Sequence, residues 1–409
     1  MKQQSPLTSR KYAVPLALVT LLFFLWGFAR AILDVLNKHL QNQMDITVTR
    51  SSLIQVTTYL GYFLMAIPAG MFINRFGYRR GVVLGLLLFG FGSLLFVPGS
   101  ETGTFWAFLV ALFVIGCGLV FLETAANPYV TELGPAETAT SRLNLSQSVN
   151  GLGCLFATFA VGQWFFTSDS VNSVVLPYTV MGIAVLAVAM VFTRVDLPEI
   201  NHDDAGDVAF NGNGITELLL RRPLFTFGLA ALLCYEIAEI SINSYFVNFV
   251  TGQGWMDDAT ASVVITCALA FFMVGRFAGS WIMRKIPAVT MLLACGIGSV
   301  ACISLVLANI GRVSMIALTA NYLFEAIMFP TIFALSLRGL GRYTKTASSL
   351  LMMTPVGGCG FLLMSLIADH VNLVVPFIVP LAGFAVVTAY ALCLHHRNRR
   401  QNPNAVLQS

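Results

Sequence analysis

The chain has 409 residues, of which 57% are hydrophobic and only 10% are charged, whereas an ordinary soluble domain carries about 25% charged residues. So few charges exclude a soluble globular enzyme, a disordered chain and a nucleic-acid-binding module, because a soluble fold needs more polar surface. The formal net charge of +4 is small, so the positions of the charges matter more than their sum. The composition predicts an all-α polytopic membrane protein.

Twelve segments along the chain are long and apolar enough to cross a bilayer, whose core of about 30 Å needs about 20 mainly apolar residues per helix. Their approximate ranges are 13–37, 52–73, 81–98, 105–132, 143–166, 174–193, 223–250, 259–284, 288–308, 313–337, 346–368 and 373–394. A transmembrane barrel would have short segments of alternating polarity instead. The first apolar run continues well past the length of a signal peptide, so we expect it to be retained as span 1.

The longest connection between spans covers residues 194–222 and is rich in Asn, Gly and charged residues, which is typical of a linker. It predicts an N-terminal six-helix half at 1–193, a cytoplasmic linker at 194–222 and a C-terminal half at 223–409 that ends in a basic cytoplasmic tail. With both termini in the cytoplasm, eighteen Lys and Arg residues lie inside and three lie outside. This bias predicts a multi-pass protein of a bacterial-type inner membrane in that orientation.

The two halves repeat each other. A Gly-x4-Arg pattern at 70–75 in span 2 recurs at 279–284 in span 8, which is 209 positions later. The Glu-x4-Pro pattern at 123–128 in span 4 recurs at 325–330 in span 10, which is 202 positions later. These landmarks predict a duplicated six-helix unit, and duplicated units with a mid-membrane binding site are a recurring transporter plan.

The connection between spans 2 and 3 carries a basic motif, Gly-x3-Asn-Arg-x-Gly-x-Arg-Arg, whose named residues are Gly70, Asn74, Arg75, Gly77, Arg79 and Arg80. It resembles the signature that the major facilitator superfamily carries at this place, although that family usually has Asp where Asn74 stands. We expect its arginines to gate the inner side and to contact anionic lipid heads and nearby helix C-termini.

A second set of motifs resembles the L-fucose–proton symporter family, which includes glucose and galactose permeases. The motifs occur in the same order along spans 1 to 11: FLWGFA at 24–29 with Asp34, GYF at 61–63 with PAG at 68–70, LETAANP at 122–128, RLNLSQ at 142–147 with Asn150, GRF at 275–277 and PTIF at 330–333. The LETAANP string is the most specific, because a polar interruption of a membrane helix seldom recurs by chance.

The resemblance implies a proton-coupled importer of a monosaccharide that works by alternating access, as a monomer in the bilayer. It implies no enzymatic activity and no cofactor apart from the coupling proton. The family's proton-coupling carboxylate of span 1 falls on Asp34. Its span 4 carboxylate, which serves sugar binding and coupling, falls on Glu123, and its sugar-contacting span 5 asparagine falls on Asn150.

The same two carboxylates stand out on physical grounds alone. A carboxylate inside a membrane helix is costly and usually faces a cavity, and burial disfavours its charged form. Asp34 and Glu123 are therefore candidates for proton carriers or for acceptors of sugar hydroxyls. The alternative for Asp34 is an interfacial residue or an ion pair with Arg30, which lies four positions earlier on the same helix.

Amide and aromatic side chains suited to sugar recognition lie at membrane depth in the first half. They are Gln55, Tyr59, Asn127, Asn144, Gln147 and Asn150. Since Asn144, Gln147 and Asn150 follow one another at i,i+3 spacing, we expect them to line one side of a helix that forms a cavity wall. The alternative is that such amides hold helices together.

Span 7 departs from the family pattern. Glu236, Glu239 and Asn243 can lie along one stripe of a helix, where the family carries two uncharged residues and a tryptophan. We predict that they contact the substrate, either as part of a site for a different sugar or as part of an altered proton path. The alternative is that one of the acids pairs with Arg276.

Two arginines lie within spans. Arg30 stands where the family has an asparagine, and it either pairs with Asp34 or receives an acidic group of the substrate, since arginine suits bidentate anion binding. We expect Arg276 to neutralise a buried acid. The leading hypothesis is thus proton-coupled monosaccharide import, and the alternatives are an uncoupled sugar facilitator, a transporter of an acidic sugar or small polar metabolite, and efflux.

No metal or nucleotide chemistry is expected. The eight cysteines are scattered without CxxC spacing, and the chain has no Walker A glycine loop.

Overall fold

The computed structural model describes residues 8, 10–134, 139–166, 171–195, 212–283, 286–340, 343, 347 and 350–401. All of the regular structure in these ranges is helical. The chain divides into two compact units. The first unit comprises residues 1–204 and 254–266, and the second comprises 205–253 and 267–409.

The long helices of the first unit are α1 Ala13–Met44, α2 Leu53–Phe76, α3 Tyr78–Leu94, α4 Phe105–Glu132, α5 Ala139–Phe156 and α6 Val175–Arg194. Shorter segments connect or extend them: Arg10–Tyr12, Val48–Ser51, Phe96–Thr102, the π-helical turn Ala157–Val161, Gly162–Phe166 and Val171–Val174. The numbered helices of the rest of the chain are α7 Pro223–Gly252, α8 Asp258–Ile282, α9 Ala288–Leu307, α10 Arg312–Glu325, α11 Phe361–His370 and α12 Ile378–Gln401. Around them lie Gly212–Arg221, Met328–Leu337, the 3₁₀ segment Thr354–Gly360 and Val375–Phe377.

The predicted halves, 1–193 and 223–409, differ from the compact units at the start of α8. Residues 254–266 belong to the first unit, where Ser262 Oγ donates to Thr158 O at 2.7 Å and Thr266 Oγ1 donates to Thr158 Oγ1 at 2.9 Å. Of the predicted linker, residues 196–211 lie outside the described part of the chain.

Ten of the described helical segments are long and apolar enough to cross a membrane. The predicted spans 143–166 and 346–368 are the two without such a segment. The first is interrupted after α5 by the π-helical turn. The second contains the Pro- and Gly-rich 3₁₀ segment before α11, since proline and glycine disfavour an α-helical interior.

The distribution of side chains is that of a protein surrounded by lipid. Large apolar side chains such as Trp106 and Met71 are more than 60% exposed, whereas Asn37 and Thr58 are fully buried. In a bilayer the polar side chains turn inward because the surrounding medium cannot form hydrogen bonds with them.

Both units are built on the same helix pairs. In the first unit α1 packs on α5, and α3 packs on α4 and α6; in the second unit α7 packs on the segment before α11, and α9 packs on α10 and α12. A glycine allows the first of these contacts in each unit. A Cβ on Gly153 of α5 would overlap the backbone of α1 at Phe24, and a Cβ on Gly360 would lie 2.7 Å from Ile237 of α7.

We therefore expect Gly153→Ala to destabilise the protein by about 1–3 kcal/mol, because the added methyl group must push two packed helices apart. The measurement is thermal unfolding of the purified protein in detergent. Gly99→Ala is the matched control, since a Cβ there would meet its neighbours only at 3.6 Å or more. Equal melting temperatures for the two variants would contradict the prediction.

Candidate functional site

The first unit holds a charged group formed by α1, α2 and α4. Arg30 and Asp34 of α1 and Glu123 of α4 are all half-buried. Arg30 and Glu123 interact electrostatically. Arg30 Nε donates to Tyr59 Oη of α2 at 3.2 Å, and its guanidinium carbon lies 5.9 Å from the centroid of the Tyr59 ring. The fold thus brings the predicted residues Arg30, Tyr59 and Glu123 together.

The two described members of the predicted row of amides on α5, Gln147 and Asn150, have different hydrogen-bonding surroundings. Asn150 Nδ2 donates to Phe23 O of α1 at 3.0 Å, and Gly27 permits this approach because a Cβ there would overlap Asn150. Gln147 is half-buried and makes no hydrogen bond to the described residues. Asn144 lies on α5, but its side chain is outside the described part of the structure. Asn150 therefore contributes to packing on α1, whereas the amide of Gln147 has hydrogen-bonding capacity to spare.

Asn127 is one turn beyond Glu123 on α4. Its side chain is half-buried and also makes no hydrogen bond to the described residues. Because residues four apart on a helix share a face, Asn127 and Glu123 present an amide and a carboxyl group on the same side of α4.

Gln55 belongs to a buried polar network. Asn37 Nδ2 donates to Gln55 Oε1 at 2.8 Å, and Gln55 Nε2 donates to Leu33 O at 3.4 Å. Ser51 Oγ donates to Asn37 Oδ1 at 3.0 Å, and Gln41 Nε2 donates to Ser51 Oγ at 2.8 Å. The amide of Gln55 therefore ties α2 to α1, while its contact with a substrate stays a prediction. The i,i+4 spacing of Asn37 and Gln41 on one apolar helix was the sequence signal for this network.

The basic motif lies at the junction of α2 and α3. Gly77 separates the two helices with a φ of +86°, a value that side-chain-bearing residues rarely adopt. Arg79 Nε donates to Phe192 O at 3.1 Å, and Arg79 Nη2 donates to Thr193 O. Arg79 therefore caps the C-terminal end of α6, where a cation is favoured.

Two of the other motif residues are more exposed than Arg79. Arg75 and Arg80 are exposed, Gly70 is half-buried, and the side chain of Asn74 is outside the described part of the structure. Their predicted roles in gating and lipid contact stay predictions.

Arg142 is a further helix-capping arginine. It is fully buried, and it donates to Val130 O at 3.0 Å and to Gly134 O at 3.3 Å at the end of α4.

The second unit holds an acidic group on α7 and α10. Glu236 is 2% exposed, Glu239 is half-buried, and Asn243 Nδ2 donates to Glu239 Oε1 at 3.1 Å. Glu325 of α10 is fully buried and interacts electrostatically with Glu239. A third acid, Glu325, therefore interacts with the stripe predicted on α7. The sequence indicated this third acid, because Glu325 occupies the same position in the second half of the repeat as Glu123 does in the first half.

Helix α10 ends at Glu325, and after a short break the chain is helical again over Met328–Leu337. We call this interruption the α10 break. Pro330 has no backbone N–H, so the carbonyl of Ala326, four residues earlier, lacks its helical donor. Arg276 Nε of α8 donates to Ala326 O at 3.2 Å, and Tyr235 Oη of α7 donates to Glu325 O at 3.2 Å. Two side chains therefore satisfy the carbonyls that the break exposes.

The expectation that Arg276 neutralises a buried acid stays a prediction. Among the described residues Arg276 makes no ion pair within 4.0 Å. Its guanidinium carbon instead lies 4.6 Å from the centroid of the Phe272 ring, while Nε binds the carbonyl of Ala326. The physical reason is that an unsatisfied buried carbonyl is costly, and Pro330 creates one within reach of Arg276.

A sequence model for the Major Facilitator Superfamily matches residues 19–358. The chain belongs to the Major Facilitator Superfamily. A glucose/galactose transporter of Brucella abortus is 34% identical over 401 residues, covering 94% of this chain and 95% of the relative. The L-fucose-proton symporter of Escherichia coli K12 is 33% identical over 414 residues, covering 94% and 93%. These relatives confirm the resemblance seen in the motifs.

The solved structures support the same assignment for the fold. A crystal structure of the superfamily transporter FucP in the outward conformation has a TM-score of 0.73 at 32% identity, covering 93% of this chain and 99% of that chain. The xylose transporter XylE from E. coli has a TM-score of 0.69 at 12% identity and shows the fold alone. The predicted twelve-helix superfamily fold is confirmed, and the chain is a multi-pass membrane transporter of this superfamily.

The α10 break generates a testable double-mutant cycle. Arg276→Met removes the donor to Ala326 O, and we expect it to lower stability by about 1–3 kcal/mol. In a Pro330→Ala background residue 330 regains an N–H that can reach Ala326 O, so the cost of Arg276→Met should fall. Melting temperatures of the four proteins measure this coupling. Arg312→Met, at an exposed position on α10, is the control, and strictly additive effects of Arg276→Met and Pro330→Ala would refute this account.

Proposed function

We propose that the chain imports a neutral monosaccharide by proton symport through alternating access. The observation that carries the proposal is the Arg30–Glu123 group, in which a half-buried acid of α4 interacts electrostatically with a half-buried cation of α1 within the membrane-spanning region. Support comes from the relatives, whose names state glucose/galactose transport and L-fucose-proton symport.

Proton binding to Glu123 changes the electrostatic attraction between Glu123 and Arg30. While Glu123 is ionised, it attracts Arg30, which also donates to Tyr59. A proton on Glu123 removes that attraction, and the neutral acid can then donate to a sugar hydroxyl. A ligand shifts a conformational equilibrium only through a difference in its affinity for the two states, and the charge change supplies such a difference. Asp34, one turn along α1, is proposed as the second proton-coupling carboxylate.

Sugar hydroxyls need side chains that both donate and accept. The half-buried amides of Asn127 and Gln147 offer both functions without a described protein partner. Asn150 in the first unit, and Glu236, Glu239 and Asn243 in the second, are the further proposed contacts. A neutral sugar is favoured over an acidic one, because the charge of Arg30 is already opposed by Glu123.

We further propose that the chain lies in an inner membrane with both termini in the cytoplasm. The Lys and Arg bias predicts cytoplasmic termini, and the bacterial relatives fit an inner membrane. The proposed partners are the sugar, the coupling proton and the lipid bilayer, and the proposed working form is a monomer.

The decisive experiment measures the pH of a lightly buffered suspension of cells that overproduce the chain. We expect a rise in external pH on addition of one of L-fucose, D-galactose or D-glucose, because symport removes protons from the medium. Asp34→Asn and Glu123→Gln should each abolish the rise, whereas Glu101→Gln, at an exposed position, should retain it.

Other outcomes separate the alternatives. Saturable uptake of labelled sugar without a pH change would point to an uncoupled facilitator or to sodium coupling. If neither uptake nor a pH change occurs with neutral sugars, import of these sugars is refuted.

Arg30→Gln tests the choice between neutral and acidic sugars. We expect the variant to weaken uptake of the neutral substrate, because Glu123 loses its counter-charge. Wild-type uptake should be insensitive to competition by glucuronate and galacturonate. Competition by these acids in wild type that Arg30→Gln selectively removes would instead assign the arginine to an acidic substrate.

A further inference from the structure

Glu325 is a fully buried carboxyl group that the proposed transport site does not use. Its Oε2 accepts a hydrogen bond from Asn321 Nδ2 at 2.8 Å. Its Oε1 is also buried and has no hydrogen-bond partner among the described residues, and the same holds for Asn321 Oδ1. The pair thus contains two buried acceptor oxygens and lacks one donor.

A proton on Glu325 supplies the missing donor. A carboxylic acid has an O–H on one oxygen and an acceptor on the other, and a primary amide has the complementary N–H and C=O. Asn321 Nδ2 already fills one half of this match. With Oε1 protonated, Asn321 Oδ1 is the complementary acceptor for the second half. An ionised Glu325 would leave a buried charge with a single hydrogen bond, which is costly.

The charges around Glu325 favour the same state. From α7, Glu239 interacts directly with it, and Tyr235 and Glu236 belong to the same electrostatic group. From α9, Cys302 interacts electrostatically with it.

The cation of this group, Arg276 of α8, is directed to a backbone carbonyl. No described cation lies within 4.0 Å of Glu325. Neighbouring carboxylates repel each other when both are ionised, so a proton on one of them relieves that repulsion.

We propose that Glu239 and Glu325 form a second proton-binding site, separate from Asp34 and Glu123, and that Glu325 carries the proton in the conformation described. The part of this proposal that concerns coupling to sugar rests on the proposed function. Binding adds one proton to one carboxylate oxygen of the pair, and release returns that proton to water, so the charge of the pair changes by one.

Glu325 lies directly before a helix break and against α7, so a conformational change at the break can move it relative to Glu239. Glu325 is the last residue of α10 before the break, and its own carbonyl is held by Tyr235 of α7. Glu239, four positions after Tyr235 on α7, is the half-buried member of the pair. A rearrangement of α7 against the break therefore alters the distance between the two acids and, with it, the tendency of the pair to hold the proton.

Infrared difference spectroscopy of the purified protein tests proton binding without any sugar. We expect a band in the carbonyl-stretch region of protonated carboxylic acids that Glu325→Gln removes and that Glu101→Gln, the exposed control, retains. Glu239→Gln should keep the band but change the pH at which it disappears. If Glu325→Gln leaves every such band in place, Glu325 is ionised and the proposal fails.

A second variant covers the case in which Glu325→Gln does not fold. Asn321→Ala removes the hydrogen bond to Oε2, so the Glu325 band should move to a different frequency. A band that stays at its wild-type frequency would overturn the assignment.

Transport in vesicles of phosphatidylethanolamine and phosphatidylglycerol tests coupling. We expect Glu325→Gln to lower the proton-to-sugar ratio by one while sugar exchange between the two sides of the vesicle continues. An unchanged ratio would remove this site from coupling and leave the proposed symport intact. If the wild type moves no protons with sugar, the proposed function fails, and the infrared result alone decides whether Glu325 binds a proton.

Discussion

A backbone carbonyl inside a membrane protein must find a donor within the protein, because lipid offers none. Among the residues that the structure describes, arginine side chains meet this requirement at three places. Arg276 binds the carbonyl that Pro330 frees, Arg79 binds the end of α6, and Arg142 binds the end of α4. The helix break in the second unit depends on the first of these bonds, and the acidic group is arranged around that break.

The duplication gives each unit an acid at the same helical position, but the two acids have different surroundings. Glu123 is half-buried and has Arg30 as its counter-charge. Glu325 is fully buried beside an amide and another acid. A counter-charge and a like-charged neighbour act in opposite directions on the ionised form of a carboxyl group. Divergence around one repeated position can therefore produce two groups with different proton-binding behaviour.

Much of the fold and part of the site could be predicted from the sequence because the signals are local. The length and polarity of each apolar run predict the spans, and the motifs around Glu123 and Asn150 predict the family. The helical spacing of Glu236, Glu239 and Asn243 predicts a shared stripe on α7, and the hydrogen bond from Asn243 to Glu239 agrees with it.

The partners of polar side chains were decided by the tertiary structure. The sequence contains both Arg276 and Pro330, yet only the packing of α8 against the α10 break brings the guanidinium to Ala326 O. Gln55 likewise has an amide suited to a sugar, but the approach of α1 joins that amide to Asn37. By itself the sequence determined which helices form and which carry carboxyl groups, because both follow from the order of residues. Which donor meets which acceptor depends on contacts between residues far apart in the chain, and these exist only once the helices pack.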